Sequence, residues 1–322
     1  MTMLDETAKG VFAISATPFA EDGSVDLEST DRLVEFYLDS GVTGLTILGV
    51  MGEAPKLAPD ESVAFTKRVL AAVDGKVPVV VGVSSPAFNP MAALTRQVMD
   101  LGAAGVMVAP ASGLNTDEKI ENYFHSVCDL LVDVPIVLQD YPPSTGVWFS
   151  TALLNRLFAD LPSLKVLKHE DWPGLRKVTQ FRAAEAAGDR RRVSVLVGNG
   201  GLFLPQELAR GVDGAMTGFA FPEMLVRVCD LHARGDPDIA EDLFDAYLPL
   251  IRYEQQVGIG MAIRKETLRR RGVIASATTR APGPLLDAKD HAELTLLIDR
   301  LQRALASKGL EPSFYPPSTE AA

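Results

Sequence analysis

One feature constrains this chain above all others: a short apolar run followed by an amphipathic stretch, repeated eight times. The runs fall at residues 11–16, 44–48, 77–83, 105–109, 134–138, 164–168, 193–197 and 214–217. Several are nearly continuous in Val, Ile and Leu, as strands covered on both faces must be; Val77-Pro78-Val79-Val80-Val81-Gly82-Val83 is the clearest. Helical patterns lie between them at 26–38, 59–73, 90–101, 116–131, 151–161, 174–187, 202–209 and 222–233. Asp26 is placed to cap the first, and Gly41, Gly102 and Gly188 stand where helices should stop. Each strand–helix–strand unit makes the strands parallel, and eight such units predict a closed barrel rather than an open sheet. After residue 236 the strand signal ends, and residues 238–252, 259–271 and 288–305 read as three helices, with Pro282 and Pro284 in the loop before the last. The predicted class is therefore α/β: a (β/α)8 TIM barrel over residues 1–236, a C-terminal three-helix extension packed on it over 237–307, and an irregular tail over 308–322.

Composition excludes several functions. At 322 residues, 47% hydrophobic and 23% charged, the chain has enough apolar surface for one large core. A net charge of −11 without a basic stripe argues against nucleic acid as a partner. No apolar stretch approaches the roughly 20 residues of a membrane span. The N-terminus carries Asp5, Glu6 and Lys9 in place of a signal-type apolar run, so a cytoplasmic setting is expected. Cys128 and Cys229 lie in apolar stretches without zinc spacing and read as buried free thiols. Nothing in the pattern calls for a metal or another cofactor.

Barrel enzymes carry their reactive groups at the C-terminal ends of strands, so those positions were read for chemistry. The sixth run, Leu164-Lys165-Val166-Leu167-Lys168, ends in a lysine, and alternation puts Leu164, Val166 and Lys168 on one face. If that face points inward, an ammonium enters an apolar mouth. Its pKa should then fall, leaving a neutral amine able to attack a ketone and form an imine. A lysine snorkelling to solvent is the other reading. Tyr141 ends the fifth strand, either directing a proton-relaying phenol to the same mouth or packing on a helix; Pro142-Pro143 fixes the loop after it. Gly49-Val50-Met51-Gly52-Glu53 is a glycine-flanked turn whose amides can hold a carboxylate, or a plain connection with Glu53 pairing locally. Gly198-Asn199-Gly200-Gly201 with Thr217-Gly218 invites the same two readings. A phosphate site there is the lesser alternative, because neither turn contains Lys or Arg. After Lys168 come His169, Glu170 and Asp171, which either act as acid–base groups or bind a polyol, or, the favoured reading, are an outward-turned His169 and two solvated loop carboxylates.

These residues together resemble the dihydrodipicolinate synthase and N-acetylneuraminate lyase family of class I, Schiff-base-forming aldolases. The likeness runs over nearly the whole chain, from Gly10-Val11 and Thr17-Pro18-Phe19 through Gly41-Val42-Thr43-Gly44-Leu45 and the Gly49–Glu53 turn, similar to the family's Gly-Thr-Thr-Gly-Glu, to the three C-terminal helices. Tyr141 precedes Lys168 by 27 residues, a family-like spacing. The resemblance implies that Lys168 forms the Schiff base and that Tyr141 shuttles protons. It implies that Val50, Met51 and Gly52 bind the keto acid's carboxylate, and that Gly198 and Met216 line the pocket. It also implies a homo-oligomer, a dimer or tetramer.

The departures bear on substrate. Val50 and Met51 replace both threonines of the turn, leaving backbone amides alone for the carboxylate and removing the threonine that bonds the tyrosine. Pro142-Pro143-Ser144-Thr145-Gly146 lacks the arginine that true synthases place before Thr-Gly, and Pro110-Ala111-Ser112-Gly113 lacks their interface tyrosine pair. The expected function is an aldolase- or dehydratase-type lyase acting on pyruvate or a 2-keto-3-deoxy sugar acid; Gln139-Asp140 is a cue to the dehydratase branch. The alternatives are a true 4-hydroxy-tetrahydrodipicolinate synthase, joining pyruvate to aspartate semialdehyde, and a non-catalytic metabolite-binding barrel.

Overall fold

The computed structural model describes residues 2–172 and 174–310. Its eight strands are β1 Gly10–Ile14, β2 Gly44–Ile47, β3 Val79–Gly82, β4 Gly105–Val108, β5 Ile136–Asp140, β6 Leu164–His169, β7 Ser194–Val197 and β8 Gly214–Thr217. They pair in parallel and in sequence order, and β8 returns to β1, closing the barrel. Helices α1 Leu27–Asp39, α2 Pro59–Val73, α3 Phe88–Asp100 and α4 Asp117–Leu130 follow the first four strands. After β5 come the one-turn α5 Pro142–Thr145 and α6 Thr151–Asp160; α7 Leu175–Ala186, α8 Leu204–Leu208 and α9 Pro222–Arg234 complete the ring. Asp26 caps α1, its carboxylate accepting from the Ser29 amide at 2.9 Å.

Two apolar regions result from strand alternation. Val11, Ala13, Leu45, Ile47, Val79 and Val81 face the helices. Phe12, Ile14, Val80, Met107, Val137, Val166, Leu196 and Met216 fill the barrel's interior. A packed interior leaves only the rim at the C-terminal ends of the strands open for chemistry.

One register detail departs from the expected pattern. Ile136 is opposite Leu164, but Val137 is opposite Val166, so Lys165 is an extra residue in β6. This irregularity turns Leu164 to the helix side while Val166 stays inside, correcting the expectation that Leu164 shares the face of Lys168. From Val166 onward the alternation is regular, and Lys168 points inward opposite Gln139.

Beyond α9 come α10 Pro237–Glu254, α11 Gly260–Arg270 and α12 Ala288–Ser307. Helix α10 packs on α9, α11 and α12. The predicted tail lies outside the described residues except for 308–310. No helix among the described residues is long and apolar enough to cross a membrane. Cys229 is buried and Cys128 half-buried, both as free thiols that burial pushes up to about 12.

Candidate active site

At the rim a cavity of about 340 Å³ opens between the strand ends and the extension. Lys168 and Tyr141 both line it, as do Val50 and Met51. Lys168 is 4% exposed and reaches the cavity because β6 turns it inward after Val166.

The amine does not stand in an apolar tube, as the sequence led one to expect. Its Nζ lies 2.9 Å from Glu170 Oε2, and Glu170 is only 7% exposed. Gln139 Nε2 donates to the same carboxylate at 2.6 Å. The expectation that Glu170 is solvated is therefore corrected. The main chain curls back after β6, with the Glu170 amide donating to Asp140 O at 2.9 Å, and this carries the side chain to the cavity. Gly198 makes room for it: a Cβ there would stand 2.2 Å from Glu170 Oε1. Asp171 is half-buried, its Oδ2 accepting from Lys177 at 2.9 Å. His169 does turn outward, but into a buried layer with Nδ1 3.4 Å from Asp140 Oδ2.

The structure separates the remaining expected residues. Gly52 is tied into the turn, its amide donating to Gly49 O at 3.0 Å and its carbonyl accepting from Thr17 Oγ1 at 2.7 Å. The amides of Val50 and Met51 have no such partner among the described residues. Met216 is fully buried in the barrel interior, and Gly198 backs Glu170 rather than forming wall. Thr217, Gly218, Asn199 and Gly200 provide that side of the cavity instead. Thr217 Oγ1 accepts from the Gly200 amide at 2.7 Å, so its hydroxyl proton is available to a ligand.

The turn itself is held in an uncommon shape, with Leu48 and Glu53 at φ of +54° and +51°. Glu53 anchors it, accepting from Lys265 Nζ at 2.6 Å, Lys56 Nζ at 2.8 Å and the Arg280 amide at 3.0 Å. Two of these three partners belong to the extension, so Glu53 pairs both locally and far away. The extension also supplies Arg264 to the cavity, its Nε donating to Glu254 Oε2 at 2.8 Å. Alternation set Glu170 aside as a solvated loop residue, and nothing in the sequence pointed to Arg264. An arginine and glutamate ten residues apart on either side of a helix break carry no local mark of a shared cavity. Burial raises the Tyr141 phenol, the charge of Glu170 raises it further, and Arg264 opposes both, so the phenol keeps its proton at neutral pH.

A buried lysine, a protonated phenol and a paired carboxylate on one barrel mouth fit a known group of proteins. The dihydrodipicolinate synthetase family model matches residues 7–301. This chain belongs to that family. It is 32% identical over 297 residues to L-2-keto-3-deoxyarabonate dehydratase of Azospirillum brasilense, covering 91% of this chain and 94% of that protein. Its backbone matches the crystal structure of a dihydrodipicolinate synthase from Rhodopseudomonas palustris with a TM-score of 0.91 and 46% identity, over 93% of this chain and all (100%) of that one. It also matches a prophage protein of the dihydrodipicolinic acid synthase family from E. coli K12, solved in complex with pyruvate, with a TM-score of 0.82 and 25% identity over 91% and 98% of the two chains.

Proposed function

We propose that this family member is a class I lyase in which Lys168 forms a Schiff base with C2 of a 2-oxo acid, a 2-keto-3-deoxy sugar acid being the preferred substrate. The observation that carries the reading is the convergence of Lys168, Glu170 and Tyr141 on one cavity. A cavity of about 340 Å³ accommodates a small sugar acid. The neutral polar groups of Gln139, Asn199, Thr217 and Gln255 on its wall suit a hydroxylated chain.

The chemistry follows from the positions. Glu170, 2.9 Å from Nζ, takes a proton from the amine as the carbonyl approaches. The N–C2 bond forms, and the carbonyl oxygen leaves as water with two protons, the one held by Glu170 and a second from the nitrogen relayed by Tyr141, so that Glu170 is again a carboxylate. In the imine the lysine's charge is delocalised over N and C2, and the C3 hydrogens lie one bond from C2. A carboxylate beside the nitrogen is placed to remove a C3 proton. Electrons then flow to the imine nitrogen, and from there expel the C4 hydroxyl as water with a proton from Tyr141, which the C3 proton held by Glu170 replaces. Water finally hydrolyses the imine and restores Lys168. Removal of a C3 proton favours dehydration over carbon–carbon cleavage, in line with the activity named for the Azospirillum relative.

Borohydride reduction in the presence of a panel of 2-oxo acids, read by intact-protein mass, tests this. The expected result is one adduct per chain that vanishes in Lys168→Ala. Binding without an adduct under any condition would leave a metabolite-binding barrel. A second reading is the synthase, favoured by the 46% identical structure. Residues 142–145 carry no arginine to hold a second carboxylate, which weighs against it. Condensation of pyruvate with aspartate semialdehyde at a rate above that of sugar-acid turnover would establish it.

A further inference from the structure

Two cations line the cavity, Lys168 and Arg264. On the reading above Lys168 is bonded to C2 and its nitrogen stands beside Glu170, so the carboxylate of a 2-oxo acid needs another partner. The side chains of Val50 and Met51 offer no hydrogen bond. Arg264 is 6% exposed and comes from α11, outside the barrel. Among the described residues Glu254 holds it by a hydrogen bond from Nε, and no hydrogen bond from Nη1 or Nη2 to another described residue opposes a ligand at the far edge of the guanidinium. That edge lies over Gly218. The position a Cβ would take on Gly218 is 2.7 Å from Arg264 Nη1, 3.0 Å from Ile14 O and 3.3 Å from Met51 Cγ. The missing side chain of Gly218 therefore leaves a gap bordered by the guanidinium and by Met51 of the turn, whose Val50 and Met51 amides have no hydrogen-bond partner among the described residues.

We infer that Arg264 is the carboxylate-binding cation of this site: its Nη edge and the Val50 and Met51 amides together hold the C1 carboxylate of the 2-oxo acid, with Gly218 as the clearance and Glu254 as the brace. A guanidinium edge matches a carboxylate in plane, which an ammonium does not. The inference rests on the proposed Schiff base only for the identity of the ligand.

The test compares pyruvate with hydroxyacetone, a neutral ketone of similar size, by borohydride trapping over a concentration series. The variants are Arg264→Lys, Gly218→Ala and the double variant Arg264→Gln/Glu254→Gln, which leaves no buried carboxylate unpaired. In the double variant the half-saturating pyruvate concentration is expected to rise about ten- to a hundredfold, the worth of a charge-assisted contact. Trapping at saturation and the hydroxyacetone series should stay within about threefold of wild type. Gly218→Ala should act in the same direction, by displacing Nη1, and Arg264→Lys should fall between. A pyruvate series unchanged in the double variant overturns the inference, as does an equal loss for both ketones. If the unmodified chain traps neither ketone, the Schiff-base reading fails separately. Calorimetric titration with pyruvate then decides for Arg264: weakened binding in the double variant supports it and unchanged binding overturns it.

Discussion

Glu170 and Lys168 neutralise each other at the bottom of the cavity, so each is useful only when the other changes charge. Replacing Glu170 by Gln keeps the shape and the contact to Gln139 but removes the base. We expect the reduced adduct still to form in Glu170→Gln, while steady-state turnover of a sugar acid falls by about 10²–10⁴-fold. Loss of the adduct as well would make Glu170 indispensable to imine formation, the earlier of its two proton transfers. Glu207 in α8 gives a second test, of stability. Burial pushes it up to about 7 against the opposing charge of His169, from the ordinary 4.5. The folded chain thus keeps this proton where an unfolded chain has released it. Its contribution is complete below about 4.5 and is lost as pH rises through 7. Glu207→Gln should match the parent chain in urea unfolding near pH 4.5 and exceed it by up to about 3 kcal/mol at pH 8.

Elements are held together at the rim by charge as well as by packing. Lys177 of α7 donates to Asp140 at the end of β5, at 2.7 Å, and to Asp171 beyond β6, at 2.9 Å. Asp140 precedes Tyr141 and Asp171 follows Glu170, so one ammonium ties both strand ends that present the reactive side chains. Lys177→Met leaves Asp140, which is fully buried, without its cation. That should cost about 3–5 kcal/mol in urea unfolding, with Lys177→Arg much milder. This arrangement was not legible in the sequence. The elements were: the pattern at 59–73 coincides with α2, and every strand overlaps its apolar run. Apolar periodicity is a local property and survives without tertiary context. The extra residue at Lys165 escaped because a single unpaired residue leaves the apolar run intact while reversing the face of Leu164.

At the scale of the molecule the extension is part of the site. Lys265 of α11 is fully buried, lies over the Phe19 ring at 4.3 Å and donates to Glu53 of the turn. Burial lowers its pKa and Glu53 opposes the shift. Lys265→Met should destabilise the whole chain by about 3–5 kcal/mol and also raise the half-saturating 2-oxo acid concentration, since the turn loses its brace; trapping series and urea unfolding on the same sample check both. The sequence by itself determined the barrel and its strand order, because each follows from a pattern read within a few residues along the chain; that Lys168 points inward rather than to solvent was decided by the register of β6. Which charges meet was decided only by the closed fold. Glu170 bends back to Lys168, Arg264 crosses from the extension to Gly218, and Met216 gives its expected place to Thr217. The brace on the turn joins segments more than 200 residues apart, 212 for Glu53 and Lys265 and 227 for Glu53 and Arg280, and no local periodicity encodes such pairings.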